Sequence, residues 1–144
     1  MLDKNTKQLE NELAQARDLK KFLDDNDGNF CGFTLAGYLK HLLAEKNLNK
    51  AQVIRDSQLG PYAYHIFGGN KKTSREYILS LAFAMKLSPK ETDYLLYYAE
   101  HERLYPRSKW DSVIYFALTN RKNLLETNEM LAEWKLYPLL GRLD

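Results

Sequence analysis

The spacing of apolar residues constrains this chain more than any other feature of its sequence. Apolar side chains recur at steps of three and four residues along almost the whole length, which places them on one face of an α-helix. The clearest series are Leu9, Leu13, Ala16, Leu19 and Leu23, then Leu35, Leu39, Leu42 and Leu43, then Ile78, Leu79, Leu81, Ala82 and Met85. No two neighbouring segments alternate β-branched and polar residues, as a pair of strands would. The sequence therefore predicts an all-α fold.

Length and composition indicate a globular protein. The chain has 144 residues, of which 44% are hydrophobic and 28% charged, values that suit one domain, or one domain with appendages. The single cysteine, Cys31, excludes an intrachain disulfide and a cysteine-based zinc cluster, and a small buried side chain is expected there. The first residues lack the pattern of a signal peptide, and no stretch without Asp, Glu, Lys or Arg, residues 59–70 included, is long enough to span a bilayer. We expect a cytoplasmic protein without a membrane-spanning segment.

Charge is distributed unevenly, although the formal net charge is only +2. Residues 32–74 contain six basic and two acidic residues, whereas residues 1–31 contain five basic and seven acidic ones. A local excess of basic residues attracts phosphate groups without a high overall charge, but it is also the composition of an ordinary solvated surface. Residues 32–74 are therefore the segment in which to look for a contact with nucleic acid.

The N-terminal residues 1–31 are predicted to form one amphipathic helix over Thr6–Leu23, followed by an acidic loop. The loop does not fit an EF-hand calcium site. With Gly28 at the sixth position, the first and twelfth positions fall on Leu23 and Thr34 instead of on carboxylates. Apolar residues recur every seven positions at Leu2, Leu9, Ala16 and Leu23. This repeat allows the helix to pair with another helix, in the same chain or in a second subunit.

Capping signals divide the remaining residues into short helices. Each signal is a side-chain oxygen just before a helical segment, or a proline in the first turn, where its missing N–H is not needed. The signals are Thr34, Asn49 with Gln52 as a capping box, Pro61, Ser74, Ser88 and Ser108. A last short helix is predicted over Thr127–Trp134.

Residues 50–67 have the arrangement of a helix-turn-helix. Two very short helices, Lys50–Asp56 and Pro61–Phe67, are predicted on either side of a tight turn, and longer helices precede and follow them. This geometry presents the second helix to the major groove of DNA. Many helical bundles contain such a pair, so the spacing alone is weakly specific.

Three segments of the sequence resemble the phage-repressor-like (Cro-type, XRE) helix-turn-helix family. They are Leu48-Asn49-Lys50-Ala51-Gln52-Val53-Ile54, Tyr64-His65-Ile66-Phe67-Gly68-Gly69-Asn70-Lys71-Lys72-Thr73-Ser74-Arg75 and Leu79-Ser80-Leu81-Ala82-Phe83-Ala84-Met85. In that family the recognition helix ends in Ile-x-x-Gly, and a short basic loop leads to a Leu-x-x-Leu-Ala-x-Ala-Leu helix. Residues 104–107, 110–118 and 126–131 resemble an extended bacterial subgroup. The resemblance, which covers residues 33–135, implies a five-helix bundle at residues 32–103. An N-terminal helix at residues 1–31 precedes the bundle, and a C-terminal helical extension at residues 104–144 packs on it.

The function implied by this resemblance is sequence-specific binding of double-stranded DNA by a transcriptional regulator that forms a homodimer. Lysines and helix N-termini position such a protein on phosphates, while side chains of the second short helix read base edges in the major groove. Carried over by position, the phosphate contacts are Lys50, Gln52, Asn70, Lys71 and Lys72, and the groove-facing residues are Tyr62, Tyr64 and His65. Because His65 lies among apolar residues, a buried position remains an equally open interpretation.

The start of the second short helix departs from the family pattern. The stretch from Leu59 to Tyr62 is one residue shorter than usual, and Gly60 and Pro61 have no side-chain donor. Direct readout of bases needs such donors, so specificity would depend on Tyr62, Tyr64 and His65 and on DNA shape. The alternative function is a helix-turn-helix-fold protein-interaction module without specific DNA readout.

Nothing in the sequence supports catalysis, so we expect no enzyme activity, no metal and no cofactor. Glu100-His101-Glu102 contains one histidine, and adjacent helical residues face different directions, which does not suit a metal site. Tyr94, Tyr97, Tyr98 and Tyr105 occupy mixed helix faces. Their spacing favours packing against the C-terminal helices over a stacking platform for single strands.

Overall fold

The computed structural model describes residues 4–30 and 32–140 of the chain, and all regular elements in these residues are helical. The all-α prediction is confirmed. Among the described helices, none is long and apolar enough to cross a membrane. Leu2 and Cys31, on which two of the predictions fall, lie outside the described residues. The chain divides into two compact units, Met1–Gly32 and Phe33–Asp144.

The first unit contains α1 (Thr6–Gln15), α2 (Leu19–Asp25) and a 3₁₀ turn (Asp27–Asn29). The single helix predicted over Thr6–Leu23 is therefore wrong. Ala16 has extended backbone angles (φ −70°, ψ 135°), and the Asp18 carboxylate accepts a hydrogen bond from Lys21 N at the start of α2. The apolar spacing continues across this break, so periodicity alone cannot reveal it.

The first unit buries very little of its surface. Phe22 and Asn26 are the buried residues in its described part, and α1 has none. The Phe22 ring packs edge-on against Phe30, with 6.2 Å between ring centroids. Lys4 Nζ joins the elements by donating to Glu12 Oε1 (2.6 Å) and Asn26 Oδ1 (2.7 Å). The unit is held by one aromatic contact and a few polar ones.

The second unit contains seven helices in its described part. They are α3 (Leu35–Glu45), α4 (Lys50–Ser57), α5 (Pro61–Phe67), α6 (Arg75–Ala84), α7 (Pro89–Tyr98), α8 (Lys109–Thr119) and α9 (Leu124–Glu133). The side chains of Thr34, Asn49, Ser74, Ser88 and Ser108 each accept a hydrogen bond from the third amide of the helix that follows. These predicted helix starts are confirmed. The last helix begins at Leu124 instead of Thr127, because Asn123 and Glu126 form a reciprocal capping box.

Helix α6 occupies the centre of the second unit. It packs against α4, α7 and α9, while α3 packs against α5 and α7, and α8 against α7 and α9. The side chains of Ile78, Leu79, Leu81 and Ala82 on α6 are fully buried. Because α4 and α5 contact α6 and α3 through one side each, their other sides face solvent.

The tyrosines of α7 have two different environments. Tyr94 and Tyr98 pack against Tyr38 of α3, with ring-centroid distances of 6.4 and 5.0 Å. Tyr97 and Tyr105 are more than half exposed. The prediction that these tyrosines pack against the C-terminal helices is therefore wrong, because Tyr94 and Tyr98 pack against α3 and Tyr97 and Tyr105 are exposed.

Candidate nucleic-acid interface

The turn between α4 and α5 is fixed by its own backbone and side chains. Ser57 Oγ donates to Ile54 O (2.7 Å) and accepts from Leu59 N (3.3 Å), and Leu59 is buried. Gln58 ends α4 in the left-handed conformation (φ 60°). Gly60 has φ 59° and ψ −134°, a combination that side chains disfavour, which explains a glycine at this point. Pro61 then begins α5, as predicted.

Helix α5 places the three predicted groove-facing residues on its outer side. Ala63 and Ile66 are fully buried, whereas Tyr62, Tyr64 and His65 are exposed. The spacing of three between Ala63 and Ile66 leaves these other positions pointing away from the core. The buried interpretation of His65 is therefore excluded, and its imidazole is accessible to a ligand.

All eight residues singled out by the sequence are exposed. Tyr62, His65, Asn70 and Lys72 line one depression of about 390 Å³, together with Thr73, Ser74 and Tyr77. Lys50, Gln52, Tyr64 and Lys71 do not line it. The eight residues thus occupy the first turn of α4, the outer side of α5 and the loop that follows α5, and four of them share one concave surface.

Several of these side chains already have partners within the chain. Lys50 Nζ lies 5.2 Å from the centre of the Phe67 ring, a cation–π contact. Gln52 accepts from Arg55 (2.7 Å) and donates to Asp56 (2.8 Å), and Lys71 Nζ is 3.6 Å from Glu100 Oε1. These contacts are exposed, so each is weak enough to be exchanged for a ligand.

The loop after α5 is shaped by local bonds. Asn70 Oδ1 accepts from Lys72 N (2.9 Å), which turns the chain so that Asn70 and Lys72 both reach the depression. His101 Nε2 lies 2.8 Å from Thr73 O and anchors the end of the loop. Among the described residues, no group of three His, Cys, Asp or Glu side chains could hold a metal ion.

Two residues of this surface were not predicted from the sequence. Tyr77 on α6 stacks at a tilt against Tyr62, with 5.3 Å between ring centroids and 59° between planes, and so holds the Tyr62 ring in place. Thr73 Oγ1 is a buried hydroxyl without a hydrogen-bond partner in the described part of the chain. Arg75, by contrast, points away from the loop. Its two terminal nitrogens donate hydrogen bonds to the two carboxylate oxygens of Asp111, at 3.0 and 2.8 Å. Only tertiary packing distinguishes Arg75 from the exposed residues Lys71 and Lys72.

The chain matches no known family model, none of the curated proteins and none of the solved structures with which it was compared.

Proposed function

We propose that this protein is a sequence-specific DNA-binding transcriptional regulator that acts in the cytoplasm as a homodimer. In this proposal α4 and α5 form a helix-turn-helix within a five-helix bundle made by α3 to α7, and α5 enters the major groove. The observation that carries the proposal is the exposure of Tyr62, Tyr64 and His65 on α5, next to the basic loop. The resemblance of residues 33–135 to the phage-repressor-like family supports it.

Each group of residues has a separate role in the proposed complex. Lys50 and Gln52 in the first turn of α4, and Asn70, Lys71 and Lys72 in the loop, meet backbone phosphates and set the position of the protein. The Tyr62 and Tyr64 hydroxyls and the His65 ring nitrogens donate to or accept from base edges, because each carries both types of group. The Tyr77 ring restricts Tyr62 to one orientation, which lowers the entropy lost on binding.

A second candidate function is a protein-interaction module that uses the same fold without specific DNA readout. The observation that favours it is the composition of α5, Pro61–Phe67, which contains no Arg, Lys, Asn or Gln. These four residue types make the most specific bidentate contacts with bases. Exposed tyrosines are also common at protein–protein interfaces.

Selection from random double-stranded DNA with the purified chain, at two salt concentrations, separates the two functions. Enrichment of a defined palindromic site that survives the higher salt concentration supports specific readout by a dimer. Recovery of DNA without sequence enrichment would instead favour the interaction module.

The docking surface is tested by the double variant Lys71→Ala/Lys72→Ala. Each phosphate contact contributes about 0.9 to the slope of log affinity against log salt concentration, so losing two should lower that slope by about 2. Binding should weaken for all sequences alike, because phosphate contacts carry no sequence information. Lys20→Ala/Lys21→Ala, which removes two adjacent exposed lysines of α2, is the matched control. Equal affinities and slopes for the two variants would show that the basic loop does not face DNA.

A further inference from the structure

An aromatic groove lies along α8 and shares no lining residue with the proposed DNA-binding surface. Its lining includes Tyr105, Pro106, Ser112, Tyr115, Phe116 and Thr119, and its volume is about 390 Å³. The rings of Tyr105, Tyr115 and Phe116 are each about half exposed. Contiguous exposed aromatic surface of this kind is typical of a site of association.

The groove is preformed, because hydrogen bonds hold the segment that forms its wall. Tyr105 N donates to Asp111 Oδ2 (2.8 Å), and Ser112 Oγ donates to Pro106 O (2.9 Å). The wall of the groove is therefore ordered before a partner binds, so association does not include the entropy cost of ordering a loop.

Two basic residues flank the groove. Arg107 follows the lining residue Pro106, and Arg107 and Lys109 are exposed and form no ion pair in the part of the chain that the structure describes. Lys109 lies three and seven residues before Ser112 and Phe116, which places it on the groove side of α8. The acidic residue in the groove lining, Asp111, is buried and neutralised by Arg75. An occupant of the groove should therefore combine apolar and acidic side chains.

Helix α9 of the same chain presents that combination. Leu124–Glu133 contains Glu126, Glu129 and Glu133 and no Lys or Arg. Four exposed residues share one face of α9, because Glu129, Ala132 and Glu133 lie four, seven and eight residues after Leu125. Leu125, on this face, is 67% exposed, which is high for a side chain of its size.

We propose that the α8 groove of one molecule receives the acidic outer face of α9 from a second copy of the chain. Leu125 supplies apolar surface to the groove, and Glu129 and Glu133 pair with Arg107 and Lys109. This inference names the contact within the homodimer that the proposed function includes, and it rests on that part of the proposal. It concerns residues outside the DNA-binding surface, so its test needs no DNA.

A charge exchange tests the contact. The groove variant Arg107→Glu/Lys109→Glu and the α9 variant Glu129→Lys/Glu133→Lys are each measured by sedimentation equilibrium without DNA, alone and as an equimolar mixture. Each variant alone brings like charges together and should dissociate more readily by tenfold or more, on the order expected for several reversed charge pairs. In the mixture every contact again joins opposite charges, so association should return to the wild-type level, as it should for a chain carrying all four substitutions.

The matched control is Lys40→Glu/Lys90→Glu, which makes the same charge change at exposed positions of α3 and α7. It should associate as the wild type does, and all variants should keep the helical circular dichroism spectrum because the substituted residues are exposed. The proposal is overturned if the wild-type chain stays monomeric, since the groove then receives another occupant. It is also overturned if the mixture of the two variants fails to associate. Loss of DNA binding by the Lys71→Ala/Lys72→Ala variant leaves this result unaffected, so the two proposals fail separately.

Discussion

Single residues decide the shape of the turn that presents α5. Gly60 combines φ 59° with ψ −134°, and a Cβ placed there would meet no atom within 4 Å. The need for glycine is therefore conformational and not steric. The lack of a side chain at this position follows from that need, since any residue with a Cβ would strain the turn.

Replacing Gly60 by alanine should lower the free energy of unfolding by about 1–2 kcal/mol, because alanine disfavours this conformation. Chemical denaturation monitored by circular dichroism measures the change. Gly32→Ala is the control, since Gly32 has no positive φ and its added Cβ would also meet nothing within 4 Å. Equal stability of Gly60→Ala and the wild type would contradict the conformational argument.

The ion pair of Arg75 and Asp111 is the best-organised polar contact of the second unit. Arg75 also donates to the carbonyl oxygens of Glu102 and Arg103, at 3.0 and 3.1 Å, and Asp111 accepts from Tyr105 N. The pair thus joins the start of α6 to α8 and to the segment between α7 and α8. Its carboxylate is only 8% exposed, so a lost partner cannot be replaced by water.

Arg75→Met should destabilise the protein by about 3 kcal/mol or more, since it leaves the Asp111 carboxylate buried and uncompensated. Urea denaturation at neutral pH measures this loss. Lys40→Met, which removes an exposed cation of α3 outside the proposed contacts, should change stability by less than about 0.5 kcal/mol. Similar losses of unfolding free energy in the two variants would show that burial of the ion pair does not increase its contribution to stability.

At the scale of elements, capping side chains set most helix boundaries. Ser88 and Glu91 form a reciprocal capping box at the start of α7, and Glu91 Oε1 also lies 3.1 Å from Lys46 Nζ. Partial burial of the Glu91 carboxyl raises its pKa. Hydrogen bonds from Ser88 and the charge of Lys46 outweigh burial, so the net pKa of Glu91 is lowered. The ionised form therefore contributes to the stability of the folded state.

This lowered pKa predicts how stability depends on pH. The contribution of Glu91 is present above the ordinary carboxyl pKa of the unfolded chain and is lost as the pH falls through the lower folded value. Glu91→Gln should therefore be less stable than the wild type at pH 7, and the difference should shrink towards pH 3. Thermal unfolding across this range measures it. A difference that stayed constant with pH would assign the effect to the hydrogen bonds and not to the charge.

For the whole molecule, the two units differ sharply in how much they bury. The second unit has a continuous core in which Leu39, Ile78 and Leu95 are completely inaccessible, whereas α1 has no buried residue. Local stability follows buried apolar contact, so the units should open with very different free energies.

Hydrogen exchange should show this difference directly. Amides of α1 and α2 should exchange much faster than those of α3, α6 and α7, with protection of the central helices approaching that of global unfolding. The comparison is made on one sample by mass spectrometry, so each unit serves as the reference for the other. Equal protection of both units would mean that α1 and α2 are covered by a further contact.

The sequence by itself determined the all-α class and most helix starts. A cap such as Ser74 or Ser88 and a first-turn proline such as Pro61 act on amides within three residues, so these signals are local and can be read without knowing the fold. Periodicity missed the break at Ala16, because the apolar spacing runs through it while the Asp18 cap restarts the helix.

Tertiary structure alone decided which side chains of the predicted surface are available. The sequence neighbours of His65 do not decide whether its side chain is buried or exposed. Its exposure follows from the burial of Ala63 and Ile66, which turns His65 outward. Arg75 directly follows the basic loop in the sequence, but its guanidinium is held by Asp111, thirty-six positions later. Tyr77 joins the surface through contact with Tyr62 across two helices. Exposure depends on residues distant in sequence, whereas helix starts depend on adjacent ones.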